Sequence, residues 1–230
     1  MQPPQPTIAT IVSAPFAENS YIAHFEGRND CVVVDPGFEP EKIFAYIQEQ
    51  RRVPAAFLIT HGHADHIVGN VAMKERWPEV PIVIGREEAP KLTNADLNLS
   101  ASFGAPLVTP PADILLDEGQ TYSVAGFDFE ARTIPGHSSG HMVFIARALR
   151  PIMVFGGDVL FAGSIGRTDF PGGSFEALAR GIHQHLFTLP DDTIVFPGHG
   201  PATTVGEEKI ENPFVGVDAG RGGRGQSSFG

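Results

Sequence analysis

Short runs of β-branched and aromatic residues alternate with turn signals along most of the chain. Such runs predict strands at residues 7–12, 21–25, 31–34, 56–60, 80–84, 113–116, 121–124, 127–134, 142–146, 151–155 and 193–196. Helical spacing of apolar positions predicts helices at residues 41–50, 65–77 and 175–186, with Ser174 as the N-cap of the last. Strands and helices mixed through the whole length indicate a layered α/β or α+β domain.

Two stretches lack such a pattern. Residues 93–111 form a long loop, either a cover over a site or an insertion. The segment after Pro213 is rich in Gly, Arg and Ser, which is typical of disorder. We therefore expect one domain over residues 1–213 and a disordered tail over residues 214–230.

The composition narrows the class of protein. Of the 230 residues 42% are hydrophobic, enough for a sizeable core, and 26 glycines and 20 prolines indicate a turn-rich domain. The net charge of −11 opposes nucleic-acid binding. A single cysteine, Cys31, excludes an intrachain disulfide and a cysteine-based zinc cluster. With neither a signal peptide nor an apolar run near the ~18 residues of a membrane helix, we expect a soluble cytoplasmic protein with no nucleic-acid or membrane partner.

Four apolar runs end in a small residue or turn and are then followed by a side chain that can bind a metal. They are FLIT followed by HGH, ARTIPG followed by His137, IMVFGG followed by Asp158, and TIVFPG followed by His199. Open α/β sheets bind ligands in the crevice beyond their strand ends. The four positions therefore predict one shared site.

The densest of these motifs is HGHADH, residues 61–66. In an extended turn His61 and His63 share a side, whereas Asp65 and His66 begin the next helix and point elsewhere. Such a cluster can serve two adjacent cations, and its imidazoles suit Zn, Fe, Co or Ni. The alternative is a polar loop with accidental histidines. The pair His61/His63 and the pair Asp65/His66 each need a further ligand to complete a metal site. Three side chains can supply these ligands: His137, Asp158 and His199. The carboxylate of Asp158 could bridge the two metals through its two oxygens.

A serine-hydrolase hypothesis competes for the second motif. Residues 136–140, GHSSG, fit the G-x-S-x-G nucleophile elbow with Ser138 as nucleophile. Asp158 or Asp191, followed by His199, keep the chain order of that triad. However, the elbow requires a helix next, and HMVFIA predicts a strand. The glycines of GRGGRG (220–225) match a dinucleotide fingerprint, but no predicted strand precedes them and no predicted helix follows.

The motifs THGHADH (60–66), PGH (135–137), GGD (156–158) and PGHG (197–200) occur in the order found in the metallo-β-lactamase superfamily of hydrolases, which the chain resembles from about Asn19 to Pro213. The resemblance implies a four-layer αββα sandwich with two divalent metal ions at one edge of the sheets. We expect these ions to be Zn²⁺, with Fe or Mn as alternatives. It also implies the ligands: His61, His63 and His137 for one metal, Asp65, His66 and His199 for the other, and Asp158 as the bridge.

Within the superfamily the chain is most similar to short glyoxalase II-like proteins (hydroxyacylglutathione hydrolases), on the segments GSIGRTDFPGG (163–173) and PGHGPATTVGEEKIENPF (197–214). β-Lactamases of the commonest subclass carry Cys in place of Asp158. The resemblance implies hydrolysis of S-lactoylglutathione, a small-molecule thioester. From the ligand set we expect Asp65 to be a catalytic residue that orients the attacking water and takes up its proton. It places Arg167 near the glutathione carboxylate, with a loop salt bridge as the alternative. Long glyoxalase II enzymes continue, beyond the position of Phe214, into a helical domain that helps to hold glutathione.

Three alternatives to the thioesterase stay open. The segment GRTDF also resembles iron-dependent persulfide dioxygenases, and other ester or lactone hydrolases share the same ligands. A metal-binding protein without activity is the third. Two further groups have open roles: His141 either supports the ligands or belongs to the core, and Asp35 either bonds a ligand or caps a turn. His183 and His185 are expected at a helix surface, and His24 in a structural position.

Overall fold

Two six-stranded sheets face each other in the computed structural model, which describes residues 5–217 and residue 219. The strands are β1 (Pro6–Ser13), β2 (Glu18–Phe25), β3 (Asp30–Val34), β4 (Val53–Ile59), β5 (Ile82–Gly85), β6 (Ile114–Leu116), β7 (Thr121–Val124), β8 (Phe127–Thr133), β9 (Met142–Ala146), β10 (Met153–Gly157), β11 (Leu160–Phe161), β12 (Ser164–Ile165), β13 (Ile194–Pro197) and β14 (Thr203–Thr204). The first sheet has the order β1-β2-β3-β4-β5-β6 and the second the order β14-β13-β10-β9-β8-β7, while β11 and β12 form a small hairpin.

Both sheets are mixed. In the first, β1, β2 and β3 are antiparallel neighbours, and β3 to β6 run parallel. In the second, β10 and β13 are parallel, whereas the other neighbouring strands are antiparallel. As a result β8, β10 and β13 point the same way, and the residues that follow them lie at one end of that sheet.

The helices are α1 (Pro40–Glu49), α2 (Ala64–Ile67), α3 (Asn70–Arg76), α4 (Ala89–Leu92), α5 (Phe175–Gly181) and α6 (Val205–Glu211). A 3₁₀ turn spans Ser100–Phe103, and a π-helical turn, Ile182–Leu186, continues α5. Among the described residues no helix combines the length and the apolar character needed to cross a bilayer.

Three layers of buried side chains separate four layers of secondary structure. Neighbouring residues of β4 point to opposite sides, so that Leu58 packs between the two sheets and Phe57 packs toward the helices that cover the first sheet. On the outer face of the second sheet, Val143 and Val154 pack with Leu178 of α5. Strands covered on both faces read as continuous apolar runs, which is why the sequence shows them clearly. The αββα arrangement expected from the sequence is confirmed.

The predicted helix over 65–77 is interrupted and forms α2 and α3 instead. Between them Gly69 comes close to another loop: its N–H donates to the Pro36 carbonyl at 2.9 Å, and a Cβ at this position would lie 2.6 Å from the same oxygen. A close backbone approach of this kind requires glycine. The helical periodicity on both sides of Gly69 conceals the break.

The last predicted helix, 175–186, is also changed, because α5 ends at Gly181 and a π turn follows. Its predicted N-cap is confirmed, since the Ser174 hydroxyl accepts the Ala177 N–H at 3.2 Å. The elements absent from the prediction are short: α4, β11, β12, β14 and α6. Of these, α6 has a recognisable sequence signal, the capping box formed by Thr204 and Glu207.

The long stretch 93–111 contains the 3₁₀ turn and borders the cavity described below. At the other end of the chain the predicted domain boundary at residue 213 falls within a turn. Val215 is buried there with the outer core of the second sheet, and the Val217 N–H donates to the Lys209 carbonyl at 2.8 Å. Residues 218 and 220–230, with most of the predicted tail and the GRGGRG pattern, lie outside the described residues.

Candidate metal centre

Three histidine rings converge where β4 and β8 end. His61 and His63 follow β4, and His137 lies in the turn after β8. The Nε2 atom of His61 lies 3.0 Å from Nδ1 of His63, and Nε2 of His137 lies 3.2 Å and 2.9 Å from these two atoms. Ligand atoms around a tetrahedral metal with bonds of about 2.0–2.1 Å are roughly 3.3 Å apart. The three nitrogens therefore have nearly the spacing of a metal's ligands.

The bonds made by the outer ring nitrogens determine which nitrogen faces the centre. His137 Nδ1 donates to the Arg167 carbonyl at 2.9 Å. His61 Nδ1 lies 3.2 Å from the Thr60 hydroxyl, which itself donates to Asp35 at 2.7 Å and so accepts from the imidazole. In both rings the lone pair is left on Nε2, facing inward. Metal-binding histidines are oriented by such outer bonds.

A second group of side chains lies beside the first. Asp65 Oδ2 is 3.3 Å from His199 Nε2 and 3.8 Å from His66 Nε2. His66 Nδ1 donates to Asp35 Oδ2 at 3.1 Å, and His199 Nδ1 donates to the Phe16 carbonyl at 3.2 Å. Here too it is Nε2 of each ring that faces the centre of the group.

The Asp158 carboxylate lies between the two groups. One of its oxygens is 3.4 Å from His66 Nε2, and the other is 3.4 Å from His137 Nε2 and 3.6 Å from His199 Nε2. The backbone N–H of Asp158 donates to His141 Nε2 at 3.0 Å. His141 is thus one of the groups that position the cluster, as well as being fully buried. Asp158 thus lies beside both groups of side chains.

The cluster has the character of a cation site. Asp158 Oδ1 and His66 Nε2 are buried in the described structure without a hydrogen-bond partner. Leaving such groups unsatisfied costs about 1–3 kcal/mol each, more where a group is charged. Within it, three triplets of side chains have ligand atoms within 4.8 Å of one another, all drawn from the predicted ligands: His61, His63 and His137; His61, His66 and Asp158; Asp65, His66 and His199. All seven predicted ligands come together, and they fit two divalent cations, with metal ligation itself a prediction.

The pKa values of the buried histidines are shifted in opposite directions in the two groups. Burial lowers the pKa values of His61, His63 and His137, so these rings are neutral at neutral pH. Burial acts the same way on His66, but the charges of Asp65 and Asp158 outweigh it and raise the pKa of that ring. Although burial opposes it, the positive charge of His66 lowers the pKa of Asp158, so the carboxylate is ionised. Metal ligands must be deprotonated, and the first group meets this requirement already.

The loops that carry the ligands are joined by Glu88, a fully buried residue. Its carboxylate accepts the backbone N–H of Gly62 at 2.8 Å, that of Gly140 at 2.8 Å and the Ser138 hydroxyl at 2.7 Å, and it pairs with Lys91 at 2.7 Å. Sequence reasoning missed this residue, because GREEAPKL shows no pattern that distinguishes one glutamate from the other. Asp35 fills the corresponding position for the second group.

The serine-hydrolase hypothesis is wrong. The hydrogen bonds of Ser138 go to Glu88 and Lys91 rather than to a histidine, and the strand β9 follows where a nucleophile elbow needs a helix. Ser138 therefore holds loops together. Among the remaining histidines, His183 is exposed, His185 half-buried, and His24 is buried against the Tyr46 hydroxyl at 3.1 Å. All three lie outside the site.

A cavity of about 900 Å³ opens beside the cluster. Asp65, Asp158 and His199 line it, and so does Arg167. The guanidinium of Arg167 makes two bonds of 2.6 Å to Asp169 and lies 4.3 Å from the centre of the Phe170 ring. The predicted substrate-binding arginine thus borders the cavity and also forms the alternative loop salt bridge.

An αββα sandwich with a His/Asp cluster at the strand ends defines a class of metal-dependent hydrolases. Residues 14–199 match the family model described as "Metallo-beta-lactamase superfamily". The chain therefore belongs to the metallo-β-lactamase superfamily, as the motifs implied, and it is a metallo-hydrolase of that superfamily.

Several relatives are similar over most of their length. The chain is 38% identical to "Probable metallo-hydrolase YqgX" of Bacillus subtilis, over 87% of this chain and 93% of the relative. It is 37% identical to "Hydroxyacylglutathione hydrolase GloC" of Haemophilus influenzae, over 83% of this chain and 90% of that relative. The resemblance to short glyoxalase II-like proteins is borne out by this relative.

Two solved structures are similar in both sequence and fold. "BLEG-1 B3 metallo-beta-lactamase" is 34% identical with a TM-score of 0.86, over 91% of this chain and 99% of that one. "TTHA1623 in a di-iron-bound form" is 37% identical with a TM-score of 0.77, over 90% of this chain and 99% of that one. A di-iron neighbour shows that a similar protein holds iron.

Proposed function

We propose that this metallo-hydrolase cleaves a thioester, with an acylated glutathione as its first candidate substrate. The observation that carries the proposal is the position of Asp158 between two groups of inward-facing ligands, at the wall of a cavity. The similarity to the hydroxyacylglutathione hydrolase of Haemophilus influenzae supports the thioester over other esters.

The residues proposed to hold two divalent cations are the three histidines of the first group, the three side chains of the second, and Asp158 between them. When bound, such cations supply Lewis-acid polarisation of a carbonyl and lower the pKa of water to about 7. We propose Zn²⁺ as the metal, with Fe or Mn as alternatives, and the di-iron neighbour supports iron among them. The role of the chain is to hold these charges at the cavity wall and to keep the imidazole lone pairs directed at them.

Hydrolysis adds the oxygen of water to the acyl carbon and breaks the carbon–sulfur bond. The sulfur leaves with the bonding electron pair and takes up a proton, giving a carboxylic acid and a thiol. We assign Asp65 the role of orienting the water and accepting its proton. Its side chain is 22% exposed and faces the cavity, and the charge of His66, acting against burial, lowers its pKa, so the carboxylate is ionised and able to accept.

Arg167 is the residue proposed to attract a substrate carboxylate. A glutathione carboxylate would exchange with Asp169, which holds the same guanidinium face. This exchange is feasible because the Arg167 and Asp169 side chains are both largely exposed, and an exposed ion pair contributes little to stability.

The test is hydrolysis of S-D-lactoylglutathione by the purified protein before chelation, after chelation and after metal is restored. We expect turnover that disappears with the metal and returns with it. His61→Ala should abolish turnover, and His183→Ala, an exposed histidine outside the cluster, is the matched control. A protein that carries two metals and cleaves no thioester would contradict the proposal.

The same preparation distinguishes the alternatives. Oxygen consumption with glutathione persulfide and a single bound iron would identify a dioxygenase. Hydrolysis of a chromogenic cephalosporin tests for β-lactamase activity, which the name of the BLEG-1 neighbour carries. Cytoplasmic location stays a prediction, and fractionation of the source cells is its test.

A further inference from the structure

The lining of the cavity beside the cluster includes two chemically different sets of side chains. Arg167 lies over the Phe170 ring, and Phe170 packs 5.3 Å from His63 of the first group between ring centres. Phe16, Phe38 and Phe103 also line the cavity. Phe16 belongs to the second group's side of the site, because its carbonyl accepts the His199 Nδ1–H.

We define Phe16, Phe38 and Phe103 as the aromatic wall. The rings come from three separate segments: the loop after β1, the loop after β3 and the 3₁₀ turn. Phe16 lies 5.6 Å from Phe38 and 6.2 Å from Phe103 between ring centres. They are 47%, 37% and 63% exposed, respectively. One exposed phenylalanine is ordinary, but a contiguous group beside a cavity is typical of a ligand surface.

Polar groups near the aromatic wall are already occupied. The Asn98 amide donates to the carbonyls of Lys91 and Leu107 at 3.0 and 2.9 Å, and its oxygen accepts the Ser100 N–H at 3.0 Å. The Ser100 hydroxyl accepts the Leu107 N–H at 2.8 Å. These bonds fold the 93–107 segment, so a ligand against the aromatic wall meets mainly apolar surface.

Charge is also distributed unequally. Among the described residues that line the cavity, Arg167 is the one lysine or arginine. It lies over Phe170, which packs on His63 of the first group, whereas Phe16 of the aromatic wall bonds to His199 of the second group. The wall therefore offers nothing to a charged or strongly polar group. A lactoyl group, small and hydroxylated, would leave these rings in water, whereas pockets of about 300–1,000 Å³ enclose much larger ligands.

We propose that the acyl group of the natural substrate is large and apolar, an aromatic ring or a medium-length alkyl chain, and that it packs against the aromatic wall. The proposal rests on the proposed thioester hydrolysis. With the carboxylate-bearing thiol part directed to Arg167 and the thioester carbon at the cluster, the acyl chain extends to Phe16, Phe38 and Phe103. Phe103 is then the principal specificity-determining residue, because it is the most exposed ring of the three.

The test compares glutathione thioesters with lactoyl, acetyl, butanoyl, hexanoyl, octanoyl and benzoyl groups. We expect kcat/KM to rise about fourfold for each added methylene until the wall is covered. Phe103→Ala and Phe38→Ala should reduce the octanoyl rate about tenfold or more and leave the acetyl rate nearly unchanged. Phe175→Ala is the matched control, since Phe175 is 42% exposed and does not line the cavity.

Binding provides a readout that does not depend on turnover. Calorimetry with S-octylglutathione and S-methylglutathione, thioethers that cannot be hydrolysed, should show tighter binding of the octyl compound. Phe103→Ala should remove most of that difference. Equal affinities for the two thioethers would overturn the proposal.

The outcomes separate this inference from the proposed function. If no thioester is cleaved by the metal-loaded protein, the proposed function fails. If thioesters are cleaved equally well at every acyl length, or if lactoyl is preferred, the aromatic wall does not select the acyl group. Octanoyl thioesters of glutathione and of N-acetylcysteamine test the orientation: a gain that follows the thiol part instead of the acyl chain would also overturn the proposal.

Discussion

The two halves of the His/Asp cluster are supported in different ways. His61, His63 and His137 are buried, neutral rings whose loops are held by Glu88. In the other half the side chains of Asp65 and His199 are 22% and 27% exposed and face the cavity. His63 and His137 also border the cavity, but they are only 7% and 3% exposed. On the proposed function, the first half would therefore enclose its cation, and the second would hold one where a substrate and water can reach it.

Each half depends on one carboxylate that lines no part of the cavity. Glu88 supports the first half through the backbone N–H of Gly62, and Asp35 supports the second through His66 Nδ1–H. Asp35 also accepts the Thr60 N–H and hydroxyl, both at 2.7 Å, so it reaches the first half through the neighbour of His61. The comparison therefore predicts that the halves can be weakened separately, but not completely so.

The largest effect is expected where the halves meet. Asp158→Asn removes the negative charge that contacts His66, His137 and His199, and we expect kcat to fall roughly a thousandfold, because several kcal/mol of charge stabilisation is lost. Steady-state kinetics with parallel metal analysis measures it. Asp128→Asn, an exposed aspartate on β8, is the control. Full activity with two metals bound would show that Asp158 bridges nothing.

Metal removal should have the next largest effect, on stability. Ligands that bind only the folded state stabilise it by about 4 kcal/mol at a thousandfold excess over Kd, which corresponds to roughly 10 °C in Tm for a chain of this size. Calorimetry of the chelated and metal-restored protein measures the shift. His63→Gln and Asp65→Asn should each retain about half of it. The same Tm for the chelated and the metal-restored protein would contradict the cation site.

Changing the supporting carboxylates should weaken one half at a time. Such changes typically cost 10–100-fold in metal affinity. In a competition titration that resolves two binding steps, we expect Glu88→Gln to weaken mainly one step and Asp35→Asn mainly the other. Glu87→Gln, an exposed neighbour of Glu88, should change neither step. If both variants weaken the same step equally, the division into halves is wrong.

The smallest effect concerns the pH dependence of the metal-free protein. Burial lowers the pKa of His137, so its contribution to stability is lost as pH falls through the unfolded value of about 6.5. For His199 burial acts in the same direction, but Asp65 and Asp158 raise its pKa overall, so its contribution is present below the unfolded value and lost as pH rises through the folded one.

His137→Gln should therefore reduce the fall in Tm from pH 7 to pH 6, and His199→Gln should increase it. Thermal unfolding of the two chelated variants beside the parent protein measures both slopes. Slopes that change in the same direction would show that the two rings have similar environments.

Part of the fold follows directly from local sequence. The run at 56–60 predicts a strand because apolar side chains occupy both of its faces, and β4 is buried on both faces. The end of a strand is equally visible, since a glycine, proline or polar residue interrupts the run. For that reason the sequence alone places His61, Asp158 and His199 beyond strand ends, and the superfamily can be identified from them.

Other features depend on contacts between distant residues. The break at Gly69 arises from its approach to the Pro36 carbonyl, more than thirty positions earlier in the sequence. Glu88 joins Gly62 to Gly140 and is indistinguishable from Glu87 by any local pattern. Neither interaction has a periodic signal, because neither residue occupies a face of a regular element.

The aromatic wall also shows the difference between what local sequence predicts and what contacts between distant residues decide. The sequence by itself predicts the main strands and helices, because apolar runs and the turn residues that end them are local signals. It also gives the seven candidate ligands, through the motifs at the strand ends and their resemblance to the superfamily. Only the tertiary structure decides that Phe16, Phe38 and Phe103, from three irregular segments, meet beside those ligands. Their proximity depends on how the loops fold over the edge of the sheets, and packing between distant segments is what sets that geometry.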